Sequence, residues 1–126
     1  MKKTPAEKWQ VAVMNYKKQC QNILKLSGNV RYAGVINAYG RTLTGIIKPN
    51  VKPLLKSEEV KNEFFIVSTL ISLRQNNEIG KLDYVLLKHS KVNILILHKN
   101  NVTFYVSINH KEKNSEQLVS KIKKII

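Results

Sequence analysis

The stretch Leu82 to Asn109, LDYVLLKHSKVNILILHKNNVTFYVSIN, decides how the rest of this 126-residue chain must be read. Three runs rich in Val, Ile, Leu, Phe and Tyr lie at Leu82 to His89, Val92 to His98 and Val102 to Asn109, separated by Ser90-Lys91 and Asn100-Asn101. β-Branched and aromatic residues suit a pleated surface, and gaps this short leave room only for hairpin turns. An antiparallel meander is expected. With the turns setting the register, Val85, Leu87, Ile94, Ile96 and Tyr105 share one face, while Tyr84, Leu86, Leu95, Leu97, Phe104 and Val106 share the other. Both faces are apolar, so both must be covered by other elements.

The covers are found by working outward. Downstream, Ser115 to Ile126 reads as a helix with Leu118, Val119, Ile122 and Ile125 inward and Lys121, Lys123 and Lys124 near its negative end. Upstream, Ser57 to about Arg74 reads as a second helix, with Ser57 as its capping side chain and Glu58 and Glu59 against its positive end. Its apolar residues between Phe64 and Leu73 span most of the circumference, so burial on more than one side is expected. Ser68 and Ser72 beside Phe65 form a small-residue surface that a second helix could approach.

Further upstream, Val30 to Asn37 and Leu43 to Ile47 read as a hairpin turning at Ala38-Tyr39-Gly40-Arg41, with Gly40 free to take positive φ. Two prolines make Lys48 to Pro53 a loop. The first helix carries Trp9, Val13, Tyr16, Cys20 and Ile23 on one stripe. Thr4, Pro5 and Glu7 open it as a capping box, and Gly28 is expected to stop it. The order is α-β-β-α-β-β-β-α, an α+β fold with a five-stranded antiparallel sheet and helices on both faces, in a single domain over residues 1–126.

Composition narrows the function classes. The 22 basic and 8 acidic residues give +14, which invites a polyanion reading, but only Arg31, Arg41 and Arg74 are arginine. Phosphate recognition favours the arginine fork. An excess of Lys, Asn and Ile together is also what an AT-rich genome produces without any ligand. The apolar run at Phe64 to Leu73 is far shorter than the roughly 20 residues that span a bilayer. Met1 to Lys8 has a basic start with no apolar stretch behind it, so it does not read as a secretory signal, and a cytoplasmic protein is expected. One cysteine, Cys20, excludes an internal disulfide and a cysteine-rich zinc site.

Catalysis has little to work with. Asp83 is the only aspartate, the seven glutamates lie mostly near helix ends or turns, and the three histidines lack metal-ligand spacing. The hairpin register puts His98 opposite Asp83 and Thr103, a hydrogen-bonded strand-end cluster with no nucleophile obviously placed beside it. The glycines form no phosphate-binding run. No enzyme, cofactor or metal is expected.

The element order, together with Gly34-Val35-Ile36-Asn37-Ala38-Tyr39-Gly40-Arg41-Thr42-Leu43, resembles the roadblock/LC7 family. That resemblance implies a sheet set between the middle helix and the two terminal helices, with no catalytic residues. It also implies a homodimer or heterodimer formed through the middle helix and an edge strand, acting as a platform for small GTPases, motors or signalling assemblies. More narrowly, Arg31 to Asn37, Tyr39 to Leu43 and Lys52-Pro53-Leu54-Leu55 resemble an uncharacterised family of small proteins in ammonia-oxidising archaea.

The strand Leu82 to His89 would lie at a sheet edge, and a long apolar edge needs a partner. A homodimer is therefore expected, with Phe64, Phe65, Ser68, Ile71 and Ser72 of the middle helix and Tyr84 and Leu86 of the strand as seam candidates. Some of the helix residues must instead face the sheet. The competing reading, ranked below it, is nucleic-acid or polyanion binding through Arg41, Lys48, Lys52 and Lys56, which follow the hairpin without an intervening acid. No recognition helix or RNP-type aromatic signature accompanies them.

Overall fold

In the computed structural model, which describes residues 2–75 and 77–126, the helices are α1 (Pro5–Leu24), α2 (Ser57–Leu73) and α3 (Ser115–Ile125). The strands are β1 (Val30–Ile36), β2 (Thr42–Ile47), β3 (Val85–Lys88), β4 (Val92–Lys99) and β5 (Val102–Asn109), and a 3-10 turn, Asn77–Ile79, lies between α2 and β3. The five strands form one sheet in the order β2-β1-β5-β4-β3, antiparallel throughout. The first hairpin thus joins the meander through β1 and β5, leaving β2 and β3 as the two edges.

Side-chain alternation divides the core as the meander register requires. Leu95, Leu97, Phe104 and Val106 pack with Cys20 and Ile23 of α1 and with Leu118, Val119 and Ile122 of α3. On the opposite face Ile94, Ile96 and Tyr105 pack with Phe64, Val67 and Ile71 of α2. Asn100 and Asn101 close the β4–β5 turn at φ 53° and 65°. Asparagine tolerates that left-handed region better than most residues, and two such positions match the twist of the paired strands.

The expected start and stop signals are met in part. Thr4 Oγ1 accepts from the Glu7 N–H at 3.2 Å and Glu7 Oε2 from the Thr4 N–H at 3.3 Å, completing the capping box. Gly28 is not the stop. The helix ends at Leu24 with Lys25 as its cap, where the Lys25 N–H closes on the Asn22 carbonyl and the Leu26 N–H on that of Ile23. At α2 the cap is Lys56 rather than Ser57, which is the first helical residue. Lysine has no acceptor to offer, so only the Glu59 half of a box forms, Glu59 Oε1 accepting from the Lys56 N–H at 2.9 Å.

Other expectations are corrected. The first turns of α1 are exposed all round, and Trp9 is 54% exposed although it lies on the apolar stripe. β3 has four residues, and Asp83 and Tyr84 precede it with their side chains on α3: Asp83 pairs with Lys123, and the Tyr84 hydroxyl donates to Glu116 Oε2 at 2.7 Å. His98 therefore faces Thr103 without Asp83, its Nδ1 lying 3.2 Å from Thr103 Oγ1. Within this chain α2 is buried on one side only, with Phe64, Val67, Ser68 and Ile71 inward.

Candidate functional site

The outward side of α2 is apolar and uncovered. Phe65, Ile66 and Leu73 are 63%, 61% and 75% exposed. Thr69 lies between them in the helical period and turns its hydroxyl back to the Phe65 carbonyl at 2.9 Å, which leaves its methyl outward. Ser72 is exposed on the same side. Large apolar side chains gathered on one helix face differ from singly scattered ones and mark a contact surface.

The β3 edge is a second uncovered feature. Among the described residues β3 pairs only with β4, which leaves the outer side of its backbone without a partner strand. Val85 and Leu87 point to the α2 side of the sheet, where they are half-buried against its core. The helix strip offers apolar side chains, and the strand edge offers backbone donors and acceptors.

The seam candidates separate on this geometry. Phe65 and Ser72 are outward, whereas Phe64, Ser68 and Ile71 are 4%, 5% and 3% exposed and serve the monomer's own core. Ser68 is not a small-residue contact for another helix, because its hydroxyl donates to the Phe65 carbonyl at 2.9 Å under the sheet-facing side. Tyr84 and Leu86 sit on the α1 and α3 side, packed against that core. Ile66 and Leu73 share the outward face of α2 with Phe65, while Val85 and Leu87 are half-buried on the other face of β3. The signal for them was present: Ile66 and Leu73 are seven residues apart, and Val85 and Leu87 alternate with the strand residues named above.

The basic quartet is not one surface. Lys48 donates its ammonium to the Ser27 carbonyl at 2.9 Å and fastens the α1–β1 loop. Arg41, Lys52 and Lys56 are exposed. The group that joins Lys52 is Arg31, whose guanidinium donates to the Lys52 carbonyl at 2.8 Å. Hydrogen bonding across twenty-one residues was not readable from spacing.

Reactive groups are held inert by their surroundings. Burial pushes the Cys20 thiol up to about 12, far from the range of a reactive thiolate. Burial lowers the His98 pKa, and Lys81 lowers it further. Tyr105, 5% exposed, donates to Glu63 Oε2 at 2.9 Å, and burial followed by that carboxylate's charge raises the phenol's pKa. Among the described residues no group of three or more His, Cys, Asp or Glu side chains could hold a metal ion, and no helix is long and apolar enough to cross a membrane.

No protein-family model and no curated protein matches the chain. Solved structures do. A Roadblock/LC7 domain from Streptomyces avermitilis superposes with a TM-score of 0.66 at 10% identity, over 86% of this chain and 88% of that one. The gliding protein MglB from Thermus thermophilus gives 0.67 at 10% identity, over 90% and 89%. MglC from Myxococcus xanthus gives 0.61 at 9% identity, over 90% of this chain and 100% of its own. With the element order, sheet order and helix placement all in agreement, this chain has the fold of a Roadblock/LC7 domain.

Proposed function

We propose that the chain is a non-catalytic homodimeric interaction module, pairing through the outer face of α2 and the β3 edge to form a platform for a small GTPase or a signalling assembly. The observation that carries this is the exposed Phe65, Ile66 and Leu73 strip on α2, in a fold whose β3 edge is also left without a partner strand. A two-fold axis beside β3 would pair the two edges and bury both strips with one isologous contact. Oligomeric relatives of the fold support the reading, since one MglB structure has a tetrameric arrangement.

Magnitudes say that both parts are needed. Three half-exposed side chains from each of two copies contribute roughly 6–12 kcal/mol gross, at about 1–2 kcal/mol each. Association costs roughly 4–15 kcal/mol. The helix strip alone is therefore marginal, and pairing of the β3 edges must add to it.

Light scattering on the purified chain at tens of micromolar tests the pairing. A dimer mass is expected, and a monodisperse monomer would overturn the reading. A pull-down at moderate salt, with and without nuclease, tests the platform. A nuclease-resistant protein partner is expected. Recovery that is lost with nuclease and with salt would instead favour polyanion binding, which the net charge of +14 supports.

A further inference from the structure

The α2-facing side of the sheet is only partly covered. Between the first turns of α2, the segment 51–55 and the β3–β4 turn lies a cavity of about 610 Å³. That is within the roughly 300–1,000 Å³ of small-molecule sites. Its floor is aromatic and aliphatic, with Tyr32, Ile94 and Tyr105, and its walls include Ile47, Leu55 and Val60. Leu54 closes it from the loop, 53% exposed.

A specific local arrangement builds the floor. Gly34 and Gly45 are cross-strand partners, and a Cβ on either would come within 2.3 Å of the Tyr32 hydroxyl oxygen. The paired glycines thus let the Tyr32 ring lie across both strands, where it stacks on Phe64 with centroids 6.5 Å apart. The Tyr32 hydroxyl makes no hydrogen bond among the described residues. Burial pushes its pKa up to about 12.

The charged groups are one-sided. Arg31, Lys52 and Lys91 line the cavity together with His89, against a single carboxylate, Glu63, which the Tyr105 hydroxyl already engages. The Arg31 guanidinium is held in place through one of its donors by the Lys52 carbonyl, which leaves the others available. An apolar bed whose lining carries three cations, Arg31, Lys52 and Lys91, against one carboxylate matches a ligand with a hydrocarbon body and one anionic end.

We propose that this cavity binds an amphiphilic monocarboxylate, its acyl chain lying on the Tyr32, Ile94 and Tyr105 floor and its carboxylate meeting Arg31 and Lys91. A bidentate guanidinium–carboxylate pair fixes the orientation. Alcohols of the same chain length lack that pair, and short carboxylates lack the apolar contact. The site belongs to each chain separately and does not rest on pairing through α2.

Calorimetric titration with dodecanoate below its micelle concentration tests the assignment, with dodecanol and acetate as comparisons. One dodecanoate per chain is expected, with dodecanol at least tenfold weaker and acetate without measurable binding. Arg31→Gln and Lys91→Gln should each weaken dodecanoate at least threefold, and Leu54→Asp, at an exposed loop position, should abolish it while the circular dichroism melt stays cooperative. In spectra of the complex, acyl protons should show nuclear Overhauser contacts to the Tyr32 and Tyr105 rings. Equal binding of dodecanol, an unsaturable isotherm, or affinity unchanged in all three variants would overturn the proposal. Saturable binding of an acidic, apolar peptide with none of dodecanoate would overturn it too, and would give the cavity to a protein segment.

Discussion

At Gly40 the backbone takes φ +81°, and a Cβ placed there would lie 2.8 Å from the Phe64 carbonyl oxygen. The hairpin turn therefore needs glycine twice, for its conformation and for its approach to α2. Gly40→Ala should cost about 1–3 kcal/mol, seen as a lower urea midpoint at unchanged slope. Two titrating side chains set a pH dependence of the same sign. The Glu112 pKa is lowered, first by the hydrogen bond from Asn29 and then by that from Ser27, at 2.8 and 3.0 Å. Its stabilisation is present above the ordinary value of 4.5 and is lost as pH falls through and below it. The His98 pKa is lowered by burial, so below 6.5 the unfolded chain binds the proton more readily and stability declines with falling pH there as well. Thermal midpoints should therefore drop in two stages on acidification. His98→Asn should remove the upper stage and Glu112→Gln the lower; a midpoint that rises on acidification would contradict both.

Neighbouring residues of α2 separate folding from pairing. Ile66 is 61% exposed and Val67 is 1% exposed. Ile66→Asp should leave the melt cooperative and convert the expected dimer to monomer by light scattering. Val67→Asp places an unpaired carboxylate in the core and should unfold the chain, a cost of several kcal/mol. Much of this helix was legible in its sequence: its span came from the Glu58-Glu59 start and the apolar density, and the pleat alternation of β4 and β5 assigned every facing residue named for them. Its orientation was not. A helix apolar over most of its circumference does not say which arc faces the sheet, and the core assigned Phe64, Ser68 and Ile71 inward while leaving Phe65 outward. β3 was overextended for a related reason. The apolar run starts at Leu82, but the ladder with β4 begins at Val85, and the Asp83 and Tyr84 side chains meet Lys123 and Glu116 of α3 instead.

Over the whole molecule, the charge of +14 predicts weak, sequence-indifferent retention on nucleic acid that falls steeply with salt. Replacing Arg41, Lys52 and Lys56 together by Glu should reduce retention no more than replacing the exposed Lys111, Lys113 and Lys121 by Glu. A much larger loss from the first set would identify a dedicated polyanion surface. Lys48 is left out of this comparison because its bond to Ser27 makes it part of the fold. Element order, the meander register and the two-faced core were determined by the sequence alone, since side-chain periods of 2.0 and 3.6 and the residues that make turns act over a few positions. The uncovered strip on α2, the Arg31 to Lys52 bond and the cavity over Tyr32 were decided only by the tertiary structure. They depend on where a helix comes to rest and on which distant backbone a long side chain meets, and packing settles both after the local pattern has done its part.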